Sequence, residues 1–591
     1  MYKYGLVGNC QTAALISNMG SVDWLCMPRP DSPPVFGRIL DKDGGYFSIE
    51  SVSKSTSRQT YIPNTNVLVT DIQDKDGNAF RITDFCPRFE QHGRMYRPIS
   101  FFRKIEPIHG SPTIKVICRP VSGWEKEPVK VVRGNSHLRY EVRGESLRLV
   151  TNMSLTHLCD EVPVLLKETV YFGLTWSIGI QDDLVRVSED FLQNTIEYWK
   201  TWVKHCTIPT FYQKETIRSA LTLKLHCYED TGAILAALTT SLPEENGQTR
   251  NWDYRYCWLR DAYYVLSSLH NLGHFEEMEG FLTFLLNIAE RHEHSRERLR
   301  PVYRLDQSLP LPEQEHLNWE GFRGSRPVRS NNQAAEHVQN DVYGEMILTL
   351  APIFFDQRFH HLRTKEHEGL LSHLVKLCIR NISNPDAGLW EIRNGWQEHS
   401  FSNLMCWAGI ERMSRIQEMG FLKDLNIDLA RARDVAENAI RLAVQDGSLR
   451  NGPKDSTLDA ALLQLPILRF PDQDVCRNTV NKIYQELRMN DTDIGRGFLY
   501  RYLRPDDFGN PKSAFLICSF WLVQALAKTG QIEEASRVMK STVIASNEVG
   551  LLSEHFDPLT GEQAGNFPQA YSHVGLINAA FAVSPAWSEV L

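Results

Sequence analysis

The spacing of hydrophobic positions changes once along this chain, and the change divides it. Over roughly the first 184 residues, apolar side chains come in short runs rich in β-branched residues. These runs are Phe47-Ser48-Ile49, Asn66 to Thr70, Thr113 to Ile117, Leu138 to Val142 and Val162 to Leu166. Turn clusters such as Asp43-Gly44-Gly45, Asp74 to Gly77 and Arg133 to Ser136 separate them. Many short strands with polar turns predict an antiparallel β-sandwich. From Lys214 onward the spacing becomes that of helices, as in Ile217, Leu221 and Leu225 at i, i+4 and i+8. About twelve such stretches follow, beginning near Glu215, Leu259, Phe275, Gln333, Thr364, Phe401, Asp428, Thr457, Asp474, Ser513, Ile532 and Tyr571. Repeated amphipathic helices suit either an α-solenoid or a closed double ring, and periodicity does not choose between them. Between the two regions, Val185 to Thr207 carries Phe191, Leu192, Tyr198, Trp199 and Trp202 and reads as a helical linker. The expected organisation is a sandwich domain over residues 1–184, a linker over 185–213 and a helical domain over 214–591.

Length agrees with more than one domain, since 591 residues exceed the 100 to 200 or so of a usual single core. The composition, 42% hydrophobic and 23% charged, is that of a globular protein. A formal net charge of −8 without a basic cluster argues against nucleic acid or an anionic membrane as partner. No apolar run reaches the 18 or so residues that span a bilayer. The first residues lack the long apolar core of a secretory signal. The twelve cysteines contain no C-x-x-C pair, so they read as buried thiols of a reducing compartment. The expectation is a cytoplasmic protein with no metal and no cofactor. Two histidine-bearing stretches fit that view: Arg291 to Arg298 reads as an exposed charged loop, and His360-His361 lacks ligand companions.

Four loops between helices concentrate aromatic and charged residues, and loops on rigid scaffolds commonly host sites. The first is NWDYRYCWLRD, Asn251 to Asp261. Its rings could stack on sugar faces while Arg260 and Asp261 take adjacent hydroxyls. Asp261 reads equally well as a helix cap paired with Arg260. The second, GFRGSRPVR from Gly321 to Arg329, is either a pocket wall or a solvated basic loop. In the third, DAGLWEIR from Asp386 to Arg393, Glu391 follows Trp390. A carboxyl beside an indole is kept protonated by the weakly polar setting, as a general acid must be. The fourth, GLLSEHFD from Gly550 to Asp557, offers Glu554 as a complementary base. Taken singly, each glutamate also reads as a surface residue. Inverting glycoside hydrolysis needs two such carboxyls roughly 6.5–9.5 Å apart. Only a fold that gathers helix-connecting loops at one end would unite these two.

Taken together and in order, the loops resemble glycoside hydrolase family 15, which contains glucoamylases, glucodextranases and some bacterial and archaeal trehalases. VGNCQTAAL from Val7, GSVDWLC from Gly20 and RPDS from Arg29 are similar to the opening of its prokaryotic members. The resemblance implies an N-terminal antiparallel β-sandwich followed by an (α/α)6 barrel. It implies Glu391 as general acid and Glu554 as general base, with His555 where fungal enzymes have Gln. It places Tyr254, Trp258, Arg260 and Asp261 at the terminal glucose, and Trp390, Arg329 and Arg501 (or Arg504) at the pocket. Fungal glucoamylases carry a second carboxylate after the acid, where this chain has Ile392, so recognition of the leaving sugar stays open. The expected function is exo-acting release of β-glucose from α-linked glucose oligosaccharides. The alternatives are a trehalase with the same acid and base and a non-catalytic carbohydrate-binding relative.

Overall fold

The computed structural model describes residues 1–180, 182–291, 298–490, 492 and 495–591. The charged run expected to be an exposed loop between Arg291 and Arg298 falls on 292–297, outside the described residues. Two antiparallel sheets make the N-terminal region. One orders the strands Tyr4–Gly8, Ala13–Ser17, Val22–Cys26, Tyr46–Ser51, Thr113–Arg119 and Val164–Leu165, with Pro34–Phe36 beside Val22–Cys26. The other runs Lys130–Arg133, His137–Val142, Glu145–Thr151, Val170–Trp176, Ser100–His109, Ala79–Phe85, Leu68–Asp74 and Ser55–Tyr61. Strand alternation explains why they face each other. His137–Val142 buries Leu138, Tyr140 and Val142 and turns the intervening residues outward. These side chains join Val22, Phe47, Ile49 and Val116 of the first sheet in one shared core.

The helix Leu184–Lys204 follows, with Asp183 accepting from Arg186 N as its N-cap. Its Phe191, Leu192 and Ile196 pack on the second sheet, while Trp199 and Trp202 join the helical core. The remaining helices close on themselves. Leu259–Asn271, Asp341–Phe355, Ser400–Glu418, the short Gln464–Ile467, Leu516–Lys528 and Ala570–Val583 form an inner ring, with the turn Ala460–Leu463 bridging Ser400–Glu418 to Gln464–Ile467 and the last helix packed against the first. Gln213–His226, Glu276–Arg291, Lys365–Asn381, Leu429–Arg441, Gln473–Leu487 and Ile532–Thr542 lie outside them. Closure decides the choice that periodicity left open. Three of the inner helices, Asp341–Phe355, Leu516–Lys528 and Ala570–Val583, are apolar nearly all round, as helices buried on every side must be. Gly344 makes the tightest crossing possible, since a Cβ there would lie 2.0 Å from Met405 O.

One expected helix is displaced. Gln333–Glu336 is a single 3-10 turn capped by Asn332, and the true helix begins at Asp341. Between them His337 is extended and Asn340 already helical, and Gln339 reaches the Glu391 carboxyl. The Thr457 stretch likewise forms only a turn, Ala460–Leu463, leading into Gln464–Ile467.

Sandwich and barrel share a polar seam. Arg88 and Lys224 both grip Glu229, at 2.6 and 2.7 Å. Arg255, on the loop ahead of Leu259, donates to Pro30 O and Ser32 O at 3.1 and 2.7 Å. All twelve cysteines are thiols, most of them buried. No helix among the described residues is long and apolar enough to cross a membrane.

Candidate active site

The segments that precede the inner helices all open at one end of the barrel, and this brings distant residues together. One cavity there is lined by Tyr254, Trp258, Arg260 and Asp261, by Trp390 and Glu391, and by Arg501 and Glu554. Eight of the nine residues expected at the site therefore share a wall, and the two glutamates face the same space. Ala236, Leu389, Phe515, Gln569 and Tyr571 complete the lining.

Glu391 sits in a tight turn. Its backbone adopts φ 60°, a left-handed conformation that costs a non-glycine residue about 1 kcal/mol or more. Asp386 holds the turn by accepting from Asn340 N (2.7 Å), Ser402 Oγ (2.8 Å) and Gly388 N (3.1 Å). Burial, with Asp341 nearby, raises the Asp386 carboxyl to about 7. The Glu391 Oε1 atom accepts from Trp258 Nε1 at 2.6 Å and from Arg260 Nη2 and Gln339 Nε2 at 3.3 Å. Here the structure corrects the expected arrangement. The indole against Glu391 belongs to Trp258, not to its neighbour Trp390, whose Nε1 donates to Asp459 at 2.9 and 3.0 Å. A turn swings consecutive side chains apart, so sequence adjacency does not make spatial contact.

Arg260 does not pair with Asp261. It reaches Gln339 Oε1 at 2.6 Å and Asp341 Oδ2 at 3.2 Å. The N-cap of this helix is Trp258, which leaves the Asp261 carboxylate to the cavity. Burial, opposed by Arg260 and helped by Glu391, raises Asp261 to about 7.

Glu554 directly precedes the strand His555–Asp557, which pairs with Ala514–Phe515 and Glu562–Ala564. Its Oε2 accepts from Asn566 N at 3.3 Å. Gly565 presses so closely that a Cβ there would lie 2.5 Å from the same oxygen. Burial, reinforced by Glu244, holds the Glu554 carboxyl well above the usual range, with Arg501 opposing. Glu244 accepts from Arg501 at 3.1 Å. Although burial opposes it, Arg501, His555 and Arg250 keep Glu244 below the ordinary value. Ligand atoms of Glu244, Glu554 and His555 lie within 4.8 Å of one another, a metal-like spacing. Two guanidiniums already supply beside Glu244 the positive charge that a cation would bring.

Arg329 does not line the cavity, contrary to expectation. Its guanidinium donates to Thr249 O (2.9 Å), Asn251 O (2.8 Å) and Asn251 Oδ1 (2.5 Å), so it anchors the loop that carries Trp252 and Tyr254. Arg504 stands outside too, paired with Asp459 at 2.9 Å. Arg501 is the arginine at the wall. Sequence reasoning missed Glu244, Gln339 and Asp341. Their only signal is position, in a segment leading into an inner helix or at its first residue, and that becomes meaningful only once the ring is known. A second compartment continues past Glu391 and includes Trp252, Ile392, Arg393 and Phe508, which puts Ile392 on the outer side.

The family model for glycosyl hydrolases family 15 matches residues 210–581, and the model for a trehalase-like N-terminal domain matches 1–150. The chain belongs to glycosyl hydrolases family 15. A relative from Mycolicibacterium smegmatis, named trehalase, is 32% identical over 99% of this chain and 91% of its own length. A trehalase from Thermoplasma acidophilum is 31% identical over 96% of this chain and 97% of its own. Among solved structures, a bacterial glucoamylase complexed with acarbose superposes with a TM-score of 0.67, covering 98% of this chain and 94% of that one at 15% identity. This family 15 chain is therefore a glycoside hydrolase, with an antiparallel sheet domain ahead of a helical barrel.

Proposed function

We propose that this chain is an inverting trehalase: it hydrolyses α,α-trehalose with Glu391 as general acid and Glu554 as general base. The observation that carries the acid–base assignment is the placement of both glutamates on one cavity, which Arg260, Asp261 and Trp258 also line. The choice of substrate is supported by the full-length relatives named trehalases. The glucoamylase likeness, at 15% identity, speaks to the fold alone. Trehalose thus takes the place of the α-glucan expected from the sequence.

One glucose fills the inner cavity, its hydroxyls taken by Arg260 and Asp261 and its apolar face by Trp258 and Tyr254. The second glucose extends past Glu391 into the outer compartment. Glu391 protonates the departing oxygen. Glu554 removes a proton from a water that attacks the anomeric carbon from the opposite face. Positive charge on the sugar ring favours ionised Glu554 and Asp261 and offsets the burial that raises both. Inversion at the attacked carbon yields β-glucose, and the departing sugar keeps its α configuration. Proton NMR of the first turnovers should therefore show α- and β-glucose in equal amounts from trehalose, with maltose and isomaltose cleaved far more slowly. Two α anomers, or faster cleavage of maltose, would defeat this reading.

A further inference from the structure

The compartment past Glu391 is where the departing glucose lies, and its Ile392 side chain offers a sugar no hydrogen bond. Most polar side chains around that space are already committed to one another. Arg250 and Arg501 both pair with Asp506, at 2.5 and 3.5 Å. Asp507 accepts from Arg393 N at 2.6 Å and from Asn394 Nδ2 at 2.9 Å. The Arg393 guanidinium donates to Gln333 Oε1 at 2.8 Å and to Glu313 Oε2 at 3.0 Å. Asn332 donates its amide to Asp253 O and accepts from Ala334 N.

His337 is the exception. It lines the compartment and is only 5% exposed, yet its imidazole makes no hydrogen bond to the described residues, and Nδ1 is buried without a partner. The backbone there is fixed, since His337 N donates to Ala334 O at 3.0 Å and closes the turn Gln333–Glu336. Trp396 meets the ring edge-on, with centroids 6.1 Å apart and planes at 72°. Glu391, Arg393 and Asp507, all on the same compartment, act electrostatically on the imidazole. Trp252 supplies an aromatic surface in the same space, held edge-on by Phe508 at 5.2 Å. Buried polar groups nearly always have partners, so an orphan on a cavity wall points to a ligand that completes it.

We propose that His337 hydrogen-bonds a hydroxyl of the departing glucose while Trp252 packs on that sugar's apolar face, which makes His337 a specificity-determining residue for the second ring of the substrate; this rests on the trehalase reading. Burial lowers the proton affinity of His337, with Glu391 opposing and Arg393 adding, and this keeps the ring uncharged at neutral pH. A neutral imidazole carries one N–H and one lone pair, and a sugar hydroxyl matches either, so the bond does not depend on the tautomer. A site built to pair with a hydroxyl also rejects a leaving group that lacks it, because the buried polar atom is then left alone.

The test compares His337→Leu with wild type on trehalose and on α-glucosyl fluoride, which has the first glucose but no second. On trehalose, kcat/KM should fall about 5- to 100-fold, because a sugar hydroxyl buried against leucine is left unpaired. On the fluoride it should stay within about 2-fold of wild type. His337→Gln keeps a hydrogen-bonding group and should recover part of the trehalose loss. Trp252→Leu should likewise lose more on trehalose than on the fluoride. No protein group loses a hydrogen-bond partner in His337→Leu, so its melting temperature should match or exceed that of wild type. An equal loss on both substrates, wild-type kcat/KM on trehalose, or a large fall in melting temperature overturns the proposal. A wild-type enzyme that cleaves the fluoride but not trehalose would instead remove the trehalase reading beneath it.

Discussion

Trp258 Nε1 donates to Glu391 Oε1 over 2.6 Å, and this bond joins the loop ahead of one inner helix to the loop ahead of another. With Oε1 also held by Arg260 and Gln339, the carboxyl has one fixed orientation, and Oε2 is the oxygen left for the substrate. Trp258→Phe keeps an aromatic ring and removes the N–H donor along with the pyrrole half of the indole. A neutral hydrogen bond of about 0.5–1.5 kcal/mol converts to a loss of roughly 2- to 13-fold in kcat/KM. Glu391→Gln and Glu554→Gln should each cost about 10²- to 10⁴-fold in kcat while circular dichroism stays unchanged. A Trp258→Phe loss equal to that of Glu391→Gln would mean that the indole does more than orient.

The raised proton affinity of Glu554 sets the pH dependence of the free enzyme. Burial and the Glu244 charge both favour its protonated form. A base must be ionised, so kcat/KM should rise with pH through a limb well above the ordinary carboxylate range near 4.3. Glu244→Gln deletes the like charge and should move that limb to lower pH. A limb that stays in place in this variant would show that Glu244 does not act on Glu554.

Arg329 supports the site without touching the cavity. Arg329→Ala would orphan two acceptors on the buried Asn251, free Thr249 O to solvent and release the loop ahead of Tyr254. Unsatisfied buried groups cost about 1–3 kcal/mol each, so thermal unfolding should come several degrees earlier. KM should rise more than kcat falls. The reverse pattern, intact stability with lost kcat, would return Arg329 to the pocket wall.

Glu229 carries the seam between sandwich and barrel. Against the burial that raises it, Lys224 and Arg88 bring its carboxyl down to about 2. A depressed carboxylate contributes stability that is complete above the unfolded value near 4.5 and is lost as pH falls toward 2. The contribution is about 3 kcal/mol at neutral pH. Acid unfolding should therefore steepen across that window, and Glu229→Gln should destabilise at pH 7 while flattening the acid dependence. Equal stability of variant and wild type at pH 7 would contradict this account.

Local patterns in the chain were enough to predict both halves of the fold. Leu138, Tyr140 and Val142 alternate because a half-buried strand requires it, and Ile217, Leu221 and Leu225 recur because a helix face does. The loops around Trp258, Glu391 and Glu554 stood out because Trp, Arg and Glu seldom cluster between helices without a task. Periodicity left closure undecided; the family resemblance implied it, and the tertiary structure shows it. A solenoid and a ring share one periodicity, and only the packing of Ala570–Val583 on Leu259–Asn271 distinguishes them. Closure also decided which side chains meet. Trp390 neighbours Glu391 in sequence, yet Trp258 touches it from 133 positions away. Arg329 looked like a pocket residue and proved to be a brace. Glu244 looked like nothing and lies beside the base. Periodicity registers which face of an element is buried, whereas contacts among connecting segments depend on where the ring brings its ends together, and no short stretch of sequence encodes that.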